Sequence, residues 1–322
     1  MKIAIAGAGA IGGWLGVHLA MSGEDVSVFA HGETLAAIRR DGLKLTESGN
    51  TVSVPVKASN NAAELGKQDL IIIAVKGPSL AAVAPAVAAM LGPDTIVLPA
   101  MNGVPWWFTH GLTGAAADMP LRSVDPGGAI AAAIPSRHVI GCVVHASAST
   151  IAPGHSSHTA NNRLIIGELN GKSSARLSAL SDVLRKDGMA PEESPTIRQA
   201  IWYKLWGNMT MNPISALTRA TTDRILSDPL VAAFALSVMN EAKEIGARIG
   251  CPIAESGEDR MNVTRKLGAI KTSMLQDVEA GRALEIDALL AAPREIAGKI
   301  GVATPNMNAM HGLVRLMAAN KP

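Results

Sequence analysis

KIAIAGAGAIGGWLGVHLA, residues 2–20, is the stretch whose reading decides the fold. Lys2 to Ala6 is a short apolar run, the mark of a buried strand. Gly7 to Gly12 interrupts it, and Trp14 to Met21 continues with helical texture. Asp25 to Ala30 then supplies a second strand, so strand, glycine turn, helix and strand fall within about 30 residues, the size of one βαβ unit. Gly7-Ala8-Gly9-Ala10-Ile11-Gly12 matches G-x-G-x-x-G. In that pattern the first glycine makes the tight turn, the second lets a pyrophosphate approach the backbone, and the third lets the helix pack on the strand. The amides of Gly9, Ala10, Ile11 and Gly12 open a helix and face phosphate oxygens. The context predicts a dinucleotide site at the chain start.

Working outward, Leu43 to Leu45 and Val52 to Val56 flank Ser48-Gly49-Asn50, a predicted hairpin. DLIIIAVK, residues 69–76, reads as a strand covered on both faces. A helix over Ser79 to Leu91 and a strand over Thr95 to Ala100 follow, and the alternation argues a parallel, doubly wound Rossmann-type sheet. From Ala129 to Leu169 the texture turns to short β-like segments, and a helix is read over Ser174 to Lys186. Beyond Thr196 nearly everything reads as helix. With 322 residues and roughly 150 per domain, two domains are expected. The cut falls near residue 195, giving a dinucleotide-binding domain over 1–195 and an all-helical substrate domain over 196–322.

Composition narrows the function classes. Lys plus Arg is 29 against 27 Asp plus Glu, a net charge of +2, and aromatics are 3%, which argues against nucleic-acid binding. The Ala-rich Leu80 to Leu91 is too short to span a bilayer, and a cytoplasmic protein without a membrane partner is expected. Cys142 and Cys251 form no CxxC and read as small buried residues. His155 and His158 in GHSSH read as part of a surface loop rather than a metal site, so no metal is expected. Gly171-Lys172-Ser173 imitates the end of a Walker loop, but Ile166 stands where that loop needs glycine.

The second half carries a polar stripe. In IWYKLWGNMTMN, residues 201–212, Lys204, Asn208 and Asn212 recur at i, i+4 and i+8 and share one helical face. Pro213 is expected to end or kink that helix. A Lys among Trp202, Tyr203, Leu205 and Trp206 is costly to bury without a purpose, and two carboxamides can fix a small polar ligand; a snorkelling Lys with two surface amides is the alternative. Ser273 can donate to a substrate or act as a helix cap. Glu285 can accept from a hydroxyl, pair with Lys204 or lie on a solvated face.

The cofactor type is read at the tip of the second strand. No acid stands there to bind the ribose hydroxyls; His31 does, with Arg39 or Arg40 nearby and Glu33 just beyond. This favours NADP over NAD.

Together GAGAIG, DLIIIAVK ending in Lys76, MNG with Asn102, HTANNRLIIGE, KLWGNMTMNPISALT and SMLQDVEAGRALEID resemble the ketopantoate reductase (2-dehydropantoate 2-reductase) family over essentially the whole chain. The last two motifs, in their order, are the specific part. The resemblance implies NADPH as cofactor and Lys204 as general acid, with Glu285 also in the catalytic set. It implies Asn208, Asn212, Ser273 and Asn102 as substrate ligands, and Lys76 and Asn102 near the nicotinamide. Where the family usually has Arg the chain has His31, and after Asn102-Gly103 it has Val-Pro-Trp-Trp-Phe, so Trp106 and Trp107 are read either as shaping the substrate pocket or as core. The expected reaction is reduction of a 2-oxo acid, 2-dehydropantoate first. A different 2-oxo acid and a non-catalytic NAD(P) sensor remain as alternatives. A homodimer is possible from the helical half.

Overall fold

In the computed structural model, which describes residues 1–186 and 188–320, the chain divides into two compact units. The first comprises Met1–Met101 and Ala129–Ile197, and the second Asn102–Gly128 with the remainder from Arg198. The segment 102–128 thus groups with the helical half rather than with the first domain, where a single cut near 195 would leave it.

The first unit holds two sheets. Strands β1 (Lys2–Ala6), β2 (Asp25–Phe29), β3 (Leu43–Glu47), β4 (Asn50–Val54), β5 (Lys57–Ser59), β6 (Gln68–Ile73) and β7 (Leu91–Pro99) precede β8 (Ile140–Ala152), β9 (His155–Glu168) and β10 (Ala190–Glu193). One sheet is wholly parallel, in the order β5-β2-β1-β6-β7. Counted within the sheet, this is the 3-2-1-4-5 order of a dinucleotide fold, and the strand order reverses between β1 and β6. Leu70, Ile71, Ile72 and Ile73 of β6 are fully buried, as a strand covered on both faces requires. Helices α1 (Ala10–Met21), α2 (Gly32–Asp41), α3 (Ala62–Leu65), α4 (Leu80–Met90), α5 (Ala129–Ala133) and α6 (Ala175–Arg185) complete the unit.

The second sheet runs β10-β9-β3-β4, with β8 antiparallel to β9. The expected hairpin is β3–β4, turned by Ser48 and Gly49 at φ 49° and 81°; paired positive φ values suit the twist of a two-residue hairpin loop. Helix α1 touches both sheets, which explains why it is apolar all round. Its Gly16 faces Ile5 and Leu43, and a Cβ on Gly13 would stand 2.6 Å from Ser156 Oγ.

Here the structure corrects the loop reading of GHSSH. His155 opens β9, and His158 is buried, its ring stacked on Trp14 at 4.8 Å between centroids. His158 Nδ1 bonds Glu47 and Nε2 lies 2.5 Å from Asn161 O, so both nitrogens face acceptors. The short β-like segments expected over 129–169 are likewise two strands of 13 and 14 residues preceded by α5. Among the described residues no group of three or more His, Cys, Asp or Glu is placed to hold a metal ion.

The second unit is helical: α7 (Ile197–Thr218), α8 (Thr222–Ser227), α9 (Pro229–Arg248), α10 (Gly257–Lys266), α11 (Ser273–Glu279), α12 (Ala292–Ile300) and α13 (Pro305–Ala319). Of the two outcomes expected at Pro213, an end or a kink, the end does not occur: α7 continues five residues past it to Thr218. A proline removes one backbone donor and crowds the preceding turn; Ile214 and Ala216 are buried, so apolar packing carries the helix across. Trp202 and Trp206 are fully buried, and their indole N–H groups donate to Ala242 O at 3.0 Å and Met239 O at 2.9 Å on α9. These two anchors fix the rotation of α7. None of the helices among the described residues is long and apolar enough to cross a membrane.

Segment 102–128 is tied to the helices by specific contacts. Arg198 Nε donates to Phe108 O at 2.8 Å, and its Nη2 to His110 O. Glu295 accepts from the amides of Arg122 and Ser123, both at 2.9 Å. Trp106 and Trp107 are buried at 6% and 3% exposure, which makes them core of this unit.

His311 on α13 makes the unit sensitive to acid. Burial, then the guanidinium charges of Arg294 and Arg315, push its imidazole down from 6.5 to about 4. Between those values the unfolded chain binds the extra proton and the fold does not, so stability falls as pH drops through that window. Relative to a His311→Asn variant, the chain is expected to lose on the order of 2 kcal/mol more between about pH 7 and pH 4.5. Urea unfolding of both proteins at the two pH values checks this; equal losses would contradict it.

Candidate functional site

The first unit presents the glycine turn at the carboxyl end of β1. Gly7 has φ +99°, and a Cβ there would lie 2.5 Å from Val75 Cγ1. A Cβ on Gly12 would lie 2.0 Å from Gly7 O, so only glycine closes this turn. Gly9 differs: the nearest atom to its would-be Cβ is Thr150 Oγ1 at 4.0 Å. Two glycines are therefore demanded by the protein's own packing, and the third leaves open space beside the first turn of α1. Gly9 is the N-cap of that helix, and no side chain caps the amides that follow. A half-buried helix start whose amides no side chain caps suits a diphosphate, so the residues fit a dinucleotide.

His31 and Lys76 lie at the carboxyl ends of the neighbouring strands. His31 is exposed, precedes α2, and meets Phe29 edge-on at 4.9 Å. Among the described residues it makes no side-chain hydrogen bond. The other two bases considered for a 2′-phosphate are engaged: Arg39 Nε donates to Ala58 O at 3.1 Å, and Arg40 pairs with Asp41 at 2.9 Å. Lys76 is half-buried and caps the short turn Gly77–Ser79 after β6.

The polar stripe belongs to the second unit. Lys204 is half-buried and its Nζ donates to Asn102 Oδ1 at 2.8 Å. Asn102 is held by its neighbour: Gly103 has φ +83°, and a Cβ there would lie 2.6 Å from Ala288 Cβ. The Val104 amide donates to Ala288 O at 2.9 Å. Ala288 sits in a π-helical turn, Asp287–Ala291, just after the half-buried Glu285. Wide turns of this kind recur at functional sites because they redirect side chains.

Further along α7, Asn208 is half-buried and Asn212 is buried at 7% exposure. Asn212 Nδ2 donates to Ser273 Oγ at 3.3 Å. Ser273 is not the helix cap: Thr272 fills that role, accepting from the Leu275 amide at 3.3 Å, and leaves Ser273 exposed in the first turn of α11. The structure thus joins Lys204 to Asn102 and Asn212 to Ser273. Between the two pairs on α7, the guanidinium of Arg260 lies against Gly207 and over the Tyr203 ring, a packing contact that no local sequence pattern announces.

A glycine-turn parallel sheet and a helical unit with a Lys-Asn stripe are the parts of an oxidoreductase of small polar substrates. Family descriptions agree: Ketopantoate reductase PanE/ApbA matches residues 3–116, and Ketopantoate reductase PanE/ApbA C terminal matches residues 196–318. A 2-dehydropantoate 2-reductase of Mesorhizobium japonicum is 42% identical over 100% of this chain and 99% of its own length. The chain belongs to the ketopantoate reductase family. Among solved structures, a candidate ketopantoate reductase from Ralstonia solanacearum MolK2 is 55% identical with a TM-score of 0.95, over 98% of this chain and 97% of that one. A 2-dehydropantoate 2-reductase from Methylococcus capsulatus is 27% identical with a TM-score of 0.84, over 99% and 98%.

Proposed function

We propose that the chain reduces 2-dehydropantoate to pantoate with NADPH, using Lys204 as the general acid. The carrying observation is the half-buried ammonium donating to Asn102 Oδ1 at 2.8 Å. When bound, the nicotinamide cofactor supplies the hydride. The chain's own residues handle charge and position. As the keto oxygen becomes an alkoxide, Lys204 Nζ stabilises it and delivers a proton, while Asn102 holds the ammonium by one hydrogen bond. Asn208, Asn212 and Ser273 line up along α7 and α11 to orient substrate hydroxyl and carboxylate oxygens, and Glu285 accepts from a substrate hydroxyl. Gly7, Gly9, Ala10, Ile11 and Gly12 would hold the diphosphate of the cofactor, His31 its 2′-phosphate, and Lys76 and Asn102 would serve its nicotinamide end.

The buried Trp106 and Trp107 supply no reason to prefer another 2-oxo acid. The test is cofactor oxidation across a panel of 2-oxo acids with NADPH and with NADH. The expected result is highest kcat/KM with 2-dehydropantoate and NADPH, and a smaller NADPH preference in His31→Ala. Oxidation with no acid despite tight cofactor binding would instead mark a sensor.

A further inference from the structure

The chain leaves β5 beside the tip of β2. Phe29 and Ser59 are register partners in the parallel sheet, and the Ala30 amide donates to Ser59 O at 3.2 Å. Asn60 and Asn61 therefore emerge alongside Ala30 and His31, at the carboxyl ends of both strands. In an open parallel sheet a dinucleotide lies along that edge, and its adenosine ribose is read at the tip of the second strand of the βαβ unit.

Most polar groups of this corner are committed to the fold. Ser59 is buried; its Oγ accepts from the Asn61 amide at 3.0 Å and donates to Glu64 Oε2 at 2.6 Å. Asn61 Oδ1 caps α3 by accepting from the Ala63 amide at 3.1 Å. Arg39 is held by Ala58 O and Arg40 by Asp41. Glu33, in the first turn of α2, is an acid and suits no phosphate. Asn60, like His31, is exposed and makes no side-chain hydrogen bond among the described residues. Nothing in the fold uses its carboxamide, which offers two donors to a phosphate and an acceptor to a hydroxyl.

We propose that Asn60 binds the 2′-substituent of the cofactor's adenosine ribose from the β5 side, with His31 on the β2 side; that this substituent is a phosphate rests on the NADPH reading above. Asn60 and His31 then set the choice between the two nicotinamide cofactors together.

The experiment is calorimetric binding of NADPH and of NADH, which differ only in the 2′-phosphate, to the full chain without acid substrate. Salt at about 0.15 M screens charges that are not in contact with the ligand. Asn60→Ala is expected to bind NADPH about 3–10-fold more weakly, the size of one hydrogen bond. Asn60→Asp is expected to bind NADPH about 10–100-fold more weakly with no loss of NADH, because a carboxylate repels the phosphate and accepts from the ribose hydroxyl. Asn60→Lys is expected to bind NADPH about 3–10-fold more tightly. A folding defect, read by thermal unfolding, cannot produce opposite signs in the Asp and Lys variants. Equal changes for the two cofactors in Asn60→Asp, or none in either, overturn the proposal. A wild type that prefers NADPH, with a preference reduced by His31→Ala and by no Asn60 variant, overturns Asn60 and leaves the NADPH reading standing. A wild type that binds NADPH no more tightly than NADH sinks that reading instead; tighter NADH binding by Asn60→Asp then still places Asn60 at the ribose, and unchanged NADH binding overturns it.

Discussion

Gly9→Ala is expected to weaken NADPH binding by about tenfold to a hundredfold, about 1.4–2.7 kcal/mol, while leaving the unfolding midpoint nearly unchanged. The argument is geometric. The added methyl meets nothing in the protein closer than 4.0 Å, and Gly9 has φ −81°, which alanine adopts freely. The methyl occupies only the space a diphosphate needs beside the helix amides. Gly12→Ala is the contrast: its methyl would stand 2.0 Å from Gly7 O, so the backbone itself must move. That variant is expected to lose about 1–3 kcal/mol of stability along with its cofactor affinity. Titration of cofactor binding beside thermal unfolding separates the two. Wild-type affinity in Gly9→Ala would place the diphosphate somewhere other than over this turn.

Lys204→Ala is expected to lower kcat about 10²–10⁴-fold with saturating acid and NADPH. The loss falls on turnover because the ammonium serves the charge that develops on the keto oxygen. Cofactor affinity should change little, since Lys204 lies in the helical unit and the glycine turn in the other. Stability should also hold: the anchors of α7 are Trp202 and Trp206, whose rings are fully buried, and Lys204 is not among them. Asn102→Ala removes the 2.8 Å partner of the ammonium and is expected to cost turnover less than the loss of Lys204 itself. Steady-state kinetics of the two variants check the order.

Much of this arrangement was legible in the residues because it rests on local pattern. Lys2 to Gly12 announces strand, turn and helix within one short stretch, and the i, i+4, i+8 spacing of Lys204, Asn208 and Asn212 puts them on one face before any tertiary contact is known. What escaped was set by contacts distant in sequence. Residues 102–128 join the helical unit through Arg198, Glu295 and the packing of Gly103 on Ala288, and none of these pairings leaves a local signature. His158 looked like loop because its neighbours are polar; it is buried because Trp14 covers its ring and Glu47 and Asn161 satisfy its nitrogens. At Pro213 α7 does not end, because residues beyond it such as Ile214 and Ala216 are apolar and buried.

The most direct test is a single-turnover experiment. Lys204→Ala and wild type are each loaded with NADPH, mixed with saturating 2-dehydropantoate, and followed by the loss of reduced nicotinamide. A first turnover slowed at least about a hundredfold in the variant, with the same amount of cofactor bound, is the expected result. Equal first-turnover rates would show that the proton comes from another group and would remove Lys204 from the chemistry.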